Sequence, residues 1–69
     1  MKCRKVVVSN LNIPIYGFTY DVRVLTSLDD GKSWWYAGIG KYAKDEQDAA
    51  QKAEQLKEEY GAELILYDE

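Results

Sequence analysis

The alternation of hydrophobic and polar residues predicts three strands in the first two thirds of the chain. Residues 3–8 contain three consecutive valines, and β-branched residues favour strands. Residues 18–27 alternate between apolar and polar side chains, which is typical of a half-buried strand. Residues 28–32 contain an Asp-Gly pair, a strong hairpin signal because the turn needs residues that accept positive φ angles. Residues 33–42 then form a third strand, antiparallel to the second.

Residues 9–17 lie between the first two strands and carry the only proline and two asparagines. These residue types favour turns and loops. The segment is therefore predicted to be a loop that ends at Gly17.

The apolar spacing changes to that of a helix at residues 45–60. One narrow apolar stripe recurs at spacings of four, three and four, formed by Ala49, Ala53, Leu56 and Tyr60. Asp45 can cap the helix, and Asp48 resembles the acidic half of a capping box. Gly61 occupies the position where a left-handed residue ends a helix, and residues 62–67 form a last strand.

The order β-β-β-α-β predicts a single α+β domain over residues 1–69, with a four-stranded antiparallel or mixed sheet. One helix with a narrow stripe can cover only one face of this sheet. A right-handed crossover through the helix would place the last strand parallel to the third.

The third strand distributes its rings over both faces because successive side chains alternate. Trp35, Ala37 and Ile39 are predicted to face the helix, together with Leu64 and Leu66 of the last strand. The helix-free face is predicted to carry five large side chains, framed by Arg23 and Lys41: Trp34, Tyr36, Tyr42, Ile65 and Tyr67. This face has three possible covers, namely the loop of residues 9–17, a second copy of the chain, or a foreign partner.

Composition excludes several kinds of chemistry. The chain has no histidine and one cysteine, so it lacks the base of an ordinary nucleophilic triad and the ligands of a structural zinc site. The acidic residues are better explained as turn formers and helix caps than as catalytic pairs or cation ligands. We therefore expect no enzyme activity, no metal and no cofactor. No stretch approaches the roughly 20 apolar residues of a membrane span, so we expect no membrane partner, and the single cysteine favours the cytoplasm.

The charge is unevenly distributed along the chain. Residues 1–42 carry six basic and three acidic residues, whereas residues 43–69 carry three basic and nine acidic residues, which gives +3 and −6. The acidic part is either a solvated helix surface or a docking surface for a basic protein. In the second interpretation the docking residues are Glu46, Asp48, Glu54, Glu58 and Glu59.

The run YDVRVLTSLDDGKSWWY, residues 20–36, resembles the hairpin of the small acidic uracil-DNA glycosylase inhibitors of φ29-type phages. That family also pairs a Tyr-Asp-Val strand with an Asp-Asp-Gly-Lys turn and an aromatic return strand. The resemblance covers about a quarter of the chain and implies a dimer that imitates DNA and blocks a DNA-binding surface. The family plugs its target with a phenylalanine near the helix start, where this chain reads AKDEQDAA. The resemblance therefore implies the broader class of phage-encoded host inhibitors, to which anti-CRISPR proteins belong.

These observations lead to one hypothesis and two alternatives. The hypothesis is a non-catalytic protein-binding module that inhibits a host nucleic-acid-handling protein. The first alternative is a single-strand nucleic-acid binder that stacks bases on the aromatic sheet face. The second is a homodimeric structural domain with no other partner. The acidic net charge of −3 favours the protein partner over nucleic acid.

Overall fold

The computed structural model describes residues 3–68, with the backbone alone for Ala37 and Asp68. Within this range the chain forms β1 (Cys3–Ile15), β2 (Phe18–Ser27), β3 (Trp35–Ala43), α1 (Glu46–Tyr60) and β4 (Ile65–Asp68). The predicted α+β class and the order β-β-β-α-β are confirmed.

The strands form one mixed sheet in the order β3-β2-β1-β4. β2 pairs antiparallel with both of its neighbours, and β4 pairs parallel with β1. β4 therefore runs parallel to β3, as the crossover predicted, but it lies at the opposite edge of the sheet. The helix thus crosses the sheet between its two edge strands.

The core lies between α1 and one face of the sheet. It consists of small and medium side chains that are fully or almost fully buried: Val6, Val8, Val22, Val24, Ala43, Ala49, Ala53, Leu56 and Ala62. Alanines in the helix stripe let the helix backbone approach the valines of the central strands closely. The predicted stripe is confirmed, with Tyr60 at its partly buried end.

The prediction of a loop over residues 9–17 is wrong. β1 continues to Ile15, and the hairpin closes through Tyr16 and Gly17, whose φ angles are 50° and 85°. The register shifts between Asn10 and Ile15, so the proline sits in an irregular part of the strand. β4 pairs with β1 only as far as Ser9. Beyond it the hairpin continues without a β4 neighbour, and we call residues 10–18 the arm.

The predicted turn at residues 28–32 is confirmed. Asp30 and Gly31 have φ angles of 60° and 88°, and the Lys32 amide donates to the Asp29 carbonyl at 3.4 Å. β3 begins at Trp35, two residues later than predicted. Its register against β2 shifts around Gly38, whose φ of 84° is typical of a glycine in a β-bulge.

The predicted N-cap at Asp45 and the left-handed Gly61 are confirmed, whereas the Asp48 carboxylate bonds the amide one residue before the N-cap and so does not complete a capping box. The Asp45 carboxylate accepts a hydrogen bond from the Asp48 amide at 2.8 Å, and the Asp48 carboxylate accepts one from the Lys44 amide at 3.0 Å. Gly61 is left-handed, with a φ of 66°. In the part of the chain that the structure describes, no helix is long and apolar enough to cross a membrane.

Candidate functional site

One face of the sheet has no helix over it, and we call it the open face. Its side chains are those that alternate with the buried valines of β1 and β2. The strand register places them in three rows across the sheet: Tyr36–Leu25–Lys5, then Gly40–Arg23–Val7–Leu66, then Tyr42–Asp21–Ser9.

Three of the predicted rings lie on or against this face. Tyr36 and Tyr42 are each close to half-exposed, and Tyr42 stacks on Phe18 with the ring centroids 5.9 Å apart. Trp34 precedes β3, and the Lys5 ammonium lies 4.3 Å from the centre of its ring. Residues 10–15 belong to β1 and do not form the predicted covering loop, and Phe18 at the end of the arm contacts Tyr42.

Two other residues predicted for this face lie on the opposite one. Ile65 pairs with Val6 and Tyr67 with Val8, so the register directs both to the helix side. Ile65 packs against the core, and Leu66 takes the open face instead. Residues 64–67 are apolar at every position, so alternation cannot determine which of them face inward.

Trp35 lies on the predicted side of the sheet, but the helix does not bury it. Trp35 pairs with Thr26 on the helix side but remains 49 % exposed. The helix end lies over β1 instead, where the Arg4 Nη1 donates to the Tyr60 carbonyl at 2.8 Å. Thr26 pairs with Arg4, so Trp35 lies two strands, or about 10 Å, from this contact. The prediction for the Ala37 side chain lies outside the described residues.

The buried Asp21 carboxylate holds the Arg23 guanidinium in place on the open face. The side chain of Asp21 is only 8 % exposed, and its Oδ2 lies 2.5 Å from the Nε of Arg23. The Arg23 guanidinium carbon is 5.2 Å from the centre of the Tyr36 ring. An open hollow of about 220 Å³ adjoins this group, lined by Asp21, Arg23, Tyr36, Gly40, Lys41 and Tyr42.

Gly40 makes room for Tyr36 in this arrangement. A Cβ atom on Gly40 would lie 2.9 Å from the Val22 carbonyl oxygen and 3.1 Å from the Tyr36 hydroxyl. The ring of Tyr36 therefore extends along β3 over the glycine. Because Gly40 has no side chain, the Tyr36 ring can occupy this position.

The arm is a second candidate surface, which the sequence analysis missed. Ile13 is 79 % exposed and Tyr16 is 97 % exposed, whereas Ile15 is 37 % exposed. Residues 9–20 contain no charged side chain in a chain that is 30 % charged. This uncharged run was the sequence signal that could have identified the arm.

The acidic residues of α1 differ in what they contact. Glu46, Glu54, Glu58 and Glu59 are exposed. Asp48 serves the helix start and also pairs with the Lys52 ammonium at 3.0 Å. Two hydrogen bonds lower the pKa of Asp48. The bond from the Lys44 amide has the larger effect, and the bond from the Lys52 ammonium has the smaller one. Successive residues are about 100° apart around a helix, so the exposed glutamates spread over its outer surface.

Asp29 has the most perturbed carboxyl group, and it organises the β2–β3 loop. Its oxygens accept hydrogen bonds from the Ser33 hydroxyl, the Ser33 amide and the Ser27 hydroxyl. These bonds lower the pKa of Asp29 to about 2. Because these partners lie within residues 27–33, the hydrogen bonds of the turn account for the lowered pKa of Asp29.

Within residues 3–68, no group of three or more His, Cys, Asp or Glu side chains could hold a metal ion. The open face and the arm are the two candidate surfaces, because each groups several exposed apolar or aromatic side chains. No protein-family model, curated protein or solved structure matches this chain.

Proposed function

We propose that this chain is a non-catalytic protein-binding module. The observation that supports this function is the placement of the aromatic residues. The chain has nine, all within the described residues, and none of them is in the fully buried core. Tryptophan and tyrosine are enriched at the energetic centres of protein interfaces. Aromatic side chains that lie outside the buried core of so small a domain are available for such an interface.

The arm is the proposed anchor for the protein partner. Tyr16 occupies the first turn position, where φ is positive and where asparagine or glycine is favoured. A left-handed conformation costs a residue with a Cβ about 1–2 kcal/mol. The almost fully exposed ring of Tyr16 returns little of this energy to the fold. We infer that Tyr16 and Ile13 insert into an apolar pocket of the partner.

The helix start lies at the base of the arm. The Thr19 hydroxyl donates to the Lys44 carbonyl at 2.7 Å, and the Lys52 ammonium lies 5.7 Å from the centre of the Phe18 ring. A partner that grips the arm would therefore approach Glu46 at the helix start. Basic residues around its apolar pocket would complement this end of the acidic helix.

The proposed biological class is a small acidic phage-type inhibitor of a host nucleic-acid-handling protein, acting in the bacterial cytoplasm. Its support is the resemblance over residues 20–36 and the net charge of −3. A DNA mimic or an anti-CRISPR-like protein would use acidic side chains against the target's nucleic-acid groove. Glu54, Glu58 and Glu59 are the candidates for this contact.

Affinity capture from a bacterial lysate tests the anchor. The bait is the intact chain, compared with the Ile13→Ser, Tyr16→Asn double variant. We expect the wild type to retain a specific protein and the double variant to lose it, because the apolar contact is removed. Leu28→Ser is the matched control, since Leu28 is 61 % exposed at the other end of β2. Equal capture by the wild type and the double variant would contradict the proposal.

The helix contribution is tested with the same captured protein. Replacing Glu54, Glu58 and Glu59 with lysine reverses the charge of the helix surface without touching its buried stripe. We expect this variant to bind the partner at least tenfold more weakly at low salt. Unchanged binding would remove the acidic helix from the interface.

A further inference from the structure

We infer that the open face binds single-stranded nucleic acid, a function separate from protein binding by the arm. The face combines two cation–ring pairs in one layer of side chains. Lys5 lies over Trp34 and Arg23 lies over Tyr36. Sheet faces that bind single strands use rings to stack bases and cations to contact phosphates.

Lys5 and Arg23 are positioned to contact two phosphates of the same nucleic-acid single strand. Lys5 pairs with Leu25 and Val7 pairs with Arg23, so Lys5 and Arg23 are diagonal neighbours on one face. Diagonal neighbours in an antiparallel pair lie about 7–8 Å apart. This separation lets two basic side chains meet two different phosphates of an extended single strand.

Asp21 acts as a positioning residue for Arg23. Its Oδ2 binds the Nε of Arg23, while the arginine side chain as a whole remains 52 % exposed. The terminal amino groups of the guanidinium are left for a phosphate, and its central carbon lies 5.2 Å from the centre of the Tyr36 ring. An arginine whose Nε is already bound loses less freedom when it takes up an anion.

Tyr36 and Tyr42 supply further stacking surface on both sides of the hollow. Gly40 lies between them on β3, and the Tyr36 ring extends over it, so this ring forms part of the hollow's wall. Both rings are close to half-exposed, so a base can reach them without rearrangement of the sheet. The hollow of about 220 Å³ has the size for a planar group between the rings.

The acidic helix does not oppose this interaction strongly. The sheet and α1 form two layers, and Glu54 and Glu58 lie roughly opposite the buried stripe of the helix, on the side away from the sheet. A helix with its side chains is about 10–12 Å across, which exceeds the Debye length of about 10 Å at 0.1 M salt. A nucleic-acid strand on the open face can therefore contact Lys5 and Arg23 while most of the negative charge of the helix is screened.

Fluorescence titration with a thymidine 12-mer tests the inference. The protein carries Trp35→Phe, so that Trp34 is the only tryptophan that emits. We expect quenching of Trp34, and a slope of log K against log salt of about −1.4 for two phosphate contacts. Tyr36→Ala should weaken binding roughly 5- to 150-fold, the range for loss of one stacking ring.

Matched variants and a second polymer identify the site and the ligand. Arg23→Ala should halve the salt slope, whereas Lys57→Ala, which removes a cation from the helix, should leave it unchanged.

Poly-L-glutamate should not displace the 12-mer at equal charge concentration, because it has no bases. Absent or salt-independent quenching overturns the inference, as does full displacement by poly-L-glutamate. A dimer by light scattering that dissociates on Tyr36→Glu also overturns it, since a second copy would then cover the face.

Discussion

At the scale of single residues, small and charged side chains determine where the rings lie. Gly40 leaves the space over which Tyr36 extends, and Asp21 holds Arg23 beside that ring. The Asp21 carboxylate is buried although no second layer covers this face. Its ion pair with Arg23 offsets the cost of removing the carboxylate from water. The open face is thus an ordered arrangement of side chains.

Gly40→Ala tests this arrangement. The added methyl group would meet the Val22 carbonyl oxygen at 2.9 Å, and a backbone atom in a sheet cannot move aside cheaply. We expect the free energy of unfolding to fall by about 1–3 kcal/mol, as for other overpacked sites. Urea unfolding measures the change. A variant as stable as the wild type would show that β3 does not approach β2 this closely at Gly40.

Part of this residue arrangement was predictable from the sequence. Alternation placed Tyr36 and Tyr42 on one face, and the small residues of the helix stripe favoured the other face for the helix. It misplaced Ile65 and Tyr67, because β4 is apolar in both phases and its register depends on pairing with β1. Ion pairs such as Asp21–Arg23 depend on rotamers, which a pattern of residue types does not specify.

At the scale of elements, local signals predicted most boundaries. The caps of α1 and the Asp-Gly turn rest on contacts within a few residues, and the structure has both. The arm was missed because proline and asparagine usually interrupt strands. Here an irregular register accommodates Pro14, and β2 continues to pair with β1 beyond it at Ile15.

The β2–β3 loop has a pH dependence that follows from Asp29. Its pKa is lowered from 3.8 to about 2, because the charged form accepts bonds from Ser33 and Ser27. A depressed pKa contributes stability above pH 3.8, and this contribution is lost as the pH falls towards 2. NMR titration of the Asp29 carboxyl carbon should give a midpoint near 2, and Ser33→Ala should raise it. A wild-type midpoint at 3.8 would mean that the loop bonds do not form.

At the scale of the whole molecule, the core is small and the surface is rich in rings. Four valines, four alanines and one leucine form the buried cluster. A domain of this length buries only about 60 % of its unfolded surface, so its stability is marginal. The sequence predicted the parallel direction of β4 but not its edge, because the crossover rule does not specify how many strands the helix passes.

We propose that the arm tip serves association and contributes little to the stability of the fold. Urea unfolding of Tyr16→Asn tests it most directly. Asparagine suits the positive φ of this turn position, and the ring that it replaces is 97 % exposed. We therefore predict that the free energy of unfolding rises by about 0.5–1 kcal/mol. A fall of about 1 kcal/mol or more would show that Tyr16 supports the fold and would contradict its proposed role in association.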